Sequence, residues 1–391
     1  MRILLINDNG VEVGGAETYL INLKRGLQRA GHDVLVFTSD HNIVAGKNVF
    51  ADRTFRAVNI KSPFRLLPYL FNLSAYFELR KVLREFKPDI VHLHFIFYHT
   101  SPSILLLLAD IPTVMTTHAH EVIAPVGVNY TDRCNHPFVG YCVKCTGVLK
   151  YYPEKIKRIV FRILSKRIRL FITPSKYYQK LYTEHGYTPT AVVNNGIELH
   201  RERSVDAYKP GDAKILYMGR LAPEKDAATA VSAMTRVVKE FPHAVLTIVG
   251  TGPEESNLRA QIARLGLEKN ISMTGHIENE KTQQYYRDAT AVVVPSNYPD
   301  NFPTVCIEAM NYGKPIVASR IGGLPELVID GENGMLFEPG NAQDLASKLI
   351  KLLKNPELVR EYSKASYERV VRYDIGRNVQ EILQIYSRYK R

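Results

Sequence analysis

Short apolar runs alternate with amphipathic stretches along the whole chain. Residues 2–7, 32–39, 89–95, 112–117, 170–174 and 191–194 are compact runs rich in Ile, Val, Leu, Phe and Thr, and they predict buried strands. Between the first two, residues 16–30 carry Ala16, Leu20, Leu23 and Leu27 at helical spacing, and Gly31 stops the helix. Residues 198–212 have few apolar positions and include Pro210-Gly211, which predicts a linker. A second series of the same kind starts at 214–218, continues through 246–250, 271–275 and 292–295, and turns helical from Ala342. Two successive α/β series predict two units, each built on a parallel sheet.

Residues 292–319 organise the second series as strand, loop, helix and strand, with Gly313 ending the helix. In parallel sheets ligands bind outside the carboxyl ends of strands, beside the N-termini of the following helices. Residues 299–305 are therefore where an anionic ligand would be held. Asp300 and Glu308 bracket the segment. As one helix their spacing would be roughly 12 Å, at ~1.5 Å per residue, against about 5 Å for a retaining-glycosidase pair. Two contacts on one extended ligand fit better, although Pro299 and Pro303 break the helix between them. Arg220 and Lys225 leave another strand end together on a loop entering a helix, which suits two cations on a diphosphate. In the first series, Gly15 lets the backbone approach a phosphate at a helix N-terminus or forms a tight turn alone. The G-x-G-x-x-G pattern of nicotinamide enzymes is absent.

These segments together resemble the retaining glycosyltransferases of family 4, which have the GT-B fold. Asp300-x7-Glu308, with Ala309-Met310 and the Gly-Lys-Pro-Ile-Val-Ala of 313–318, is similar to the family's E-x7-E signature, with Asp where Glu is usual. Gly14-Gly15-Ala16-Glu17 resembles its GG-A/G-E loop. Residues 219–225 resemble its G-R-x-x-x-E-K-G segment, with Asp226 in place of the last Gly, and Thr251-Gly252-Pro253-Glu254 resembles its V-G-x-G-P-E turn. Gly322-Gly323-Leu324-Pro325-Glu326 and residues 334–339 extend the resemblance or serve only as caps and turns.

The resemblance implies an α/β protein of GT-B type, two Rossmann-like domains facing across an interdomain cleft. Residues 1–197 would bind acceptor, 198–372 nucleotide sugar, and 373–391 would form a helix crossing back to the first domain. It implies transfer of a sugar from a nucleotide-diphosphate donor, with retention, to a saccharide or lipid-linked acceptor in surface polysaccharide or glycolipid biosynthesis. His118, Arg220, Lys225 and Asp300 would be catalytic. Gly15, Arg220, Lys225, His276, Ile277, Asp300, Phe302, Thr304, Val305 and Glu308 would bind donor: cations and the Thr304 and Val305 amides on the diphosphate, Glu308 on the ribose, Asp300 and His118 on the sugar. The Asp that usually neighbours the active-site histidine is Ala119 here. No cofactor is expected. The alternative is a catalytically weak nucleotide-sugar-binding protein at a membrane surface.

Charge sharpens the acceptor side. The net charge of +12 sits almost wholly in residues 1–196, with 25 basic against 14 acidic side chains, while residues 197–391 hold 26 against 25. Residues 155–169 combine an apolar stripe (Ile156, Ile159, Val160, Ile163, Leu164) with seven cations, Lys155, Lys157, Arg158, Arg162, Lys166, Arg167 and Arg169. Near an anionic leaflet each cation is worth about 1 kcal/mol, so this stretch predicts contact with an anionic membrane; the plainer expectation is a helix packing its stripe inward. Residues 62–86 leave the same two readings open. No nucleic-acid module is present, so nucleic acid is not expected as a partner. No apolar run approaches the ~18 residues of a spanning helix, and no signal-peptide profile opens the sequence; a cytoplasmic protein, peripheral on the inner face of the cell membrane, is expected. Cys134, Cys142 and Cys145, with His136 nearby, are either zinc ligands or a thiol-rich loop.

Overall fold

A computed structural model describes all residues except 13, 44–48, 59–67, 69, 119–122, 124–147, 200–212 and 391. Cys134, Cys142, Cys145 and most of the linker stretch lie outside the described residues. The chain forms two compact units, Met1–Gly196 with Ile375–Arg391, and Ile197–Asp374.

The first unit contains strands β1 (Arg2–Ile6), β2 (Asp33–Ser39), β3 (Arg53–Phe55), β4 (Ile90–Leu93), β5 (Thr113–Thr116), β6 (Leu170–Thr173) and β7 (Thr190–Val192). They form one all-parallel sheet in the order β3-β2-β1-β4-β5-β6-β7. Helices α1 (Gly15–Arg29), α2 (Leu73–Phe86), α3 (Val148–Leu164) and α4 (Lys176–Glu184) cover it. The apolar runs are continuous because both faces are buried: Ile3 and Leu5 of β1 enter one core, Leu4 and Ile6 the other.

The second unit repeats the plan. Its strands are β8 (Lys214–Met218), β9 (Val245–Val249), β10 (Ile271–Gly275), β11 (Ala291–Val294), β12 (Ile316–Ser319) and β13 (Gly334–Phe337), in the parallel order β10-β9-β8-β11-β12-β13. Its helices are α5 (Ala227–Glu240), α6 (Glu255–Leu265), α7 (Asn279–Asp288), α8 (Thr304–Asn311), α9 (Leu324–Leu327), α10 (Ala342–Leu353) and α11 (Pro356–Val370). The chain then returns to the first unit as α12 (Ile375–Tyr389), which packs on α1 and buries Ile375, Val379, Ile382, Ile385 and Tyr386.

Each sheet has one point where strand order reverses, β1 beside β4 and β8 beside β11. Loops leaving two such neighbours diverge to opposite faces and open a crevice at the carboxyl edge. The motifs discussed below follow the carboxyl ends of strands in these two sheets.

The basic helix corrects the sequence expectation in one respect. Its buried side is set by Lys157 and Phe161, both with no exposed surface, while Ile156, Ile159 and Ile163 are 41%, 52% and 61% exposed. Lys157 donates to the Phe97 carbonyl and lies over the Phe97 ring. It is therefore a core cation and not part of the surface charge. The amphipathic period was real, but the face taken by the core runs through 157 and 161, leaving the isoleucines outward.

Candidate active site

In the second unit, the loop after β8 runs from Gly219 through Arg220 into the 3-10 turn Pro223–Lys225, and the loop after β11 leads to Asp300. The reversal point brings the ends of these loops together. Lys225 Nζ lies 2.5 Å from Asp300 Oδ1, and Ser296 Oγ donates to Asp300 Oδ2 at 2.6 Å. Arg220, mostly exposed, pairs with the buried Glu224 one turn on.

Two glycine turns hold these loops from behind. Leu221 N–H donates to the Thr251 carbonyl at 2.9 Å and Glu254 N–H to the Leu221 carbonyl at 3.0 Å. A Cβ at Gly252 would stand 2.2 Å from the Leu221 carbonyl oxygen. Gly323 does the same for the other loop: its N–H donates to the Asp300 carbonyl at 2.8 Å, and a Cβ there would stand 1.8 Å from the Asn301 carbonyl oxygen. Both turns need a residue without a side chain because backbone passes against backbone. Gly322-Gly323 is therefore a brace for the Asp300 loop.

Asp226 occupies the place where glycine was expected, in the left-handed region at φ 46° and ψ 47°. Its carboxylate accepts from the Thr229 N–H and hydroxyl, capping α5. An Asp tolerates this conformation better than most side chains and caps a helix at the same time, so the turn keeps its path.

Helix α8 begins at Thr304 behind Pro303, which supplies no side-chain cap. Its first amides, those of Thr304 and Val305 among them, form the positive end of the helix dipole. One turn along, Glu308 Oε2 accepts a 2.7 Å hydrogen bond from the Tyr286 hydroxyl. Tyr286 is buried and its ring stacks on Tyr312 at 5.5 Å. Burial, with Glu308 adjacent, pushes the phenol well above its ordinary range and keeps it a donor. The Phe302 side chain is buried in the core, edge-on to Tyr373 at 5.5 Å. Ile277 packs partly buried against the same core and His276 is exposed beside it.

In the first unit, Gly15 opens α1 behind an extended Gly14. Glu17 is buried next to it and accepts from Asn9 at 3.0 Å; desolvation raises its carboxyl pKa. His118 follows β5, and its Nε2 lies 2.9 Å from His94 Nδ1, beyond the end of β4. Among the described residues no group of His, Cys, Asp and Glu is arranged to hold a metal, and no helix is long and apolar enough to cross a membrane.

Two family models account for most of the sequence. Residues 13–201 match Glycosyltransferase Family 4, and residues 200–369 match Glycosyl transferases group 1. The chain belongs to glycosyltransferase family 4.

Three relatives are similar over nearly their whole length. This glycosyltransferase is 27% identical to a glycogen synthase of Mycobacterium tuberculosis, covering 95% of this chain and 90% of the relative. It is 26% identical to a phosphatidyl-myo-inositol mannosyltransferase of Mycobacterium leprae, over 99% and 96% of the two chains. HepE of Anabaena, solved with UDP and glucose, superposes with a TM-score of 0.69 at 21% identity, covering 99% of each chain. The fold of the transferase is GT-B, with two Rossmann-like parallel-sheet domains.

The motifs carried by short sequence spacing, Arg220 to Lys225 and Asp300 to Glu308, fall on the loops and helix of one sheet edge. The partners that sequence spacing did not reveal are Ser296 and Lys225 for Asp300, Tyr286 for Glu308, and His94 for His118. Of these only His94 left a local trace, as the second histidine of His92-x-His94 at a strand end.

Proposed function

We propose that the chain moves a sugar from a nucleotide-diphosphate donor to a saccharide or lipid-linked acceptor, with the anomeric configuration retained. The observation that carries this reading is the meeting of Lys225 with Asp300 at the strand-order reversal of the second sheet. Breaking a glycosyl–phosphate bond adds a negative charge to a diphosphate that already carries two, and stabilising it is the main electrostatic demand of the reaction. Lys225 and Arg220 neutralise that charge, and the uncapped start of α8 offers Thr304 and Val305 amides to the same phosphates. Glu308, oriented by Tyr286, accepts the ribose hydroxyls. Asp300 accepts sugar hydroxyls with lone pairs left over from Lys225 and Ser296. His118 is assigned to the reacting sugar, and Gly15 to the diphosphate. The main chain at His276 and Ile277 is assigned to the base, and HepE's complex with UDP and glucose makes a uridine nucleotide the first donor to try. Fixed cations provide the charge that a divalent metal provides in other transferases.

A lipid-linked acceptor fits the basic unit if the membrane that holds it is anionic. Ile156, Ile159 and Ile163 are exposed beside exposed Lys155, Arg162, Lys166, Arg167 and Arg169. The segment Pro102–Leu108 packs between α2 and α3, and it exposes Leu106 while α2 exposes Leu73 and Phe77. Apolar side chains ringed by cations suit the headgroup boundary of such a bilayer, and this reading assigns the protein to the cytoplasmic face of a membrane. The phosphatidyl-myo-inositol mannosyltransferase is a relative with a lipid acceptor in its name.

A second reading, donor binding with weak catalysis, is favoured by one feature: Asp300 is a methylene shorter than the family's Glu and already engages Lys225 and Ser296. Incubation with UDP-, GDP- and ADP-sugars and a lipid-linked saccharide decides between them. Glycosidic product with the donor's anomeric configuration, read by proton NMR, supports transfer with retention. Donor binding with neither transfer nor donor hydrolysis supports the second reading. Flotation with phosphatidylglycerol vesicles tests the membrane arm; absence of salt-sensitive binding counts against it.

A further inference from the structure

Three histidines stack where β4 and β5 end. His92 and His94 share one face of the strand line, their rings 4.3 Å apart, and His94 and His118 lie 5.2 Å apart at 16°. His92 is saturated, with Nδ1 2.6 Å from the Tyr386 hydroxyl and Nε2 2.7 Å from Thr116 Oγ1. It therefore has no ring nitrogen left for His94. The Tyr19 ring closes another side, 6.1 Å from His94 and 5.7 Å from His118. The His94 ring is wholly buried and makes one hydrogen bond, Nδ1 to His118 Nε2 at 2.9 Å; among the described residues its Nε2 has no partner.

That orphaned nitrogen fixes where the protons sit. Burial keeps both rings neutral, holding His118 down to about 4 and His94 well below the ordinary histidine range. A neutral imidazole carries one proton. Were His118 the donor, His94 would keep its own proton on Nε2, a buried N–H with nothing to accept it. Orphaned buried N–H groups are rarer than unfilled acceptors, so His94 donates from Nδ1 and leaves Nε2 bare. His118 then accepts on Nε2 and carries its proton on Nδ1.

We propose that His94 is a positioning residue that holds His118 in the Nδ1–H tautomer, so that His118 presents the reacting sugar with a hydrogen-bond donor and not with a base. The sugar half of this statement rests on the assignment of His118 under the proposed function; the tautomer half stands on the apo geometry alone. Sequence spacing does not reach this role, because both rings must be seen to touch before either proton can be placed.

The test is long-range proton–nitrogen correlation NMR on the nitrogen-15-labelled full chain without donor, with His118 assigned by its loss in His118→Ala. The expected result is a protonated Nδ1 and bare Nε2. In His94→Phe the ring is kept without its donor, so the tautomers mix and kcat/KM falls about tenfold, the worth of one hydrogen bond. His94→Asn places its amide where Nδ1 stood and restores both the resonance pattern and the rate. A wild-type His118 protonated on Nε2 overturns the positioning role, as does an unshifted tautomer in His94→Phe. Full transfer activity in His118→Ala overturns the sugar assignment instead and leaves the tautomer result to be judged separately. Should His94→Phe fail to fold, the wild-type spectrum and His94→Asn still decide.

Discussion

Lys225 and Asp300 are brought from loops after different strands to an ion pair of 2.5 Å between Nζ and Oδ1. Without a ligand each charge offsets the other, so an incoming diphosphate competes with Asp300 for the ammonium group. Under the proposed function, Lys225→Ala removes a cation from the departing phosphates, and among the described residues it leaves the Asp300 carboxylate with only Ser296. We expect kcat to fall by about 10²–10³, as when one charge-stabilising group is lost from an active site. Circular dichroism should show the fold retained. Near-wild-type turnover by the folded variant would remove Lys225 from the diphosphate.

Under the proposed function, Tyr286 acts on the donor through Glu308. Tyr286→Phe keeps the stacked ring and deletes the 2.7 Å bond to Oε2. A contact to the ribose is made equally in ground and transition states, so its loss should raise the donor KM about tenfold with kcat little changed. Steady-state kinetics with varied donor checks this; a fall in kcat at constant KM would place Glu308 on the reacting sugar.

The brace under the Asp300 loop can be tested with a matched pair. Gly323→Ala puts a methyl group into the Asn301 carbonyl, whereas Gly331→Ala has open space and only the left-handed φ of +83° against it. Both should lose roughly 1–3 kcal/mol of stability. Only Gly323→Ala should also lose transfer activity at a temperature where both variants are folded. Equal activity in the two would show that the loop tolerates displacement.

Acid should unfold the first unit early. His92 is held neutral, with its pKa down to about 3 against an ordinary 6.5, chiefly by burial. Between these values the unfolded chain binds the proton and the folded one does not. Stability is therefore complete above pH 6.5 and declines as the pH falls toward 3. At pH 5 the cost from this ring is about 2 kcal/mol, or roughly 4–8 °C in melting temperature for a unit of this size. Thermal melts from pH 7.5 to 4.5 measure it; a flat profile down to pH 5 would contradict the neutral assignment.

Much of the fold class was legible because parallel sheets write themselves locally: each strand is one apolar run, and each following helix starts where a loop motif ends. The Arg220–Lys225 and Asp300–Glu308 segments could be placed at strand ends for the same reason. What sequence alone missed depends on rotation or on distant pairing. The period of residues 155–169 shows an amphipathic helix without saying which face the core takes, so Lys157 was counted with the surface charge although it is buried against Phe97. Phe302 stands inside a ligand-binding motif, yet its ring turns inward to Tyr373. Tyr286 lies 22 positions before Glu308, and only the folded chain, which sets the hydroxyl 2.7 Å from Oε2, makes them partners.

The last helix has a consequence for synthesis. Asn378 accepts from Tyr19 and donates to the Asn194 carbonyl, and Tyr386 touches His92, so residues near the end of the described chain complete the interior of the unit that starts it. The second unit, Ile197–Asp374, is contiguous and emerges from the ribosome whole while the first still lacks α12. Domains usually mature in the order they are translated; here the nascent chain would finish Ile197–Asp374 before the unit that starts earlier, and the histidine stack would close after it.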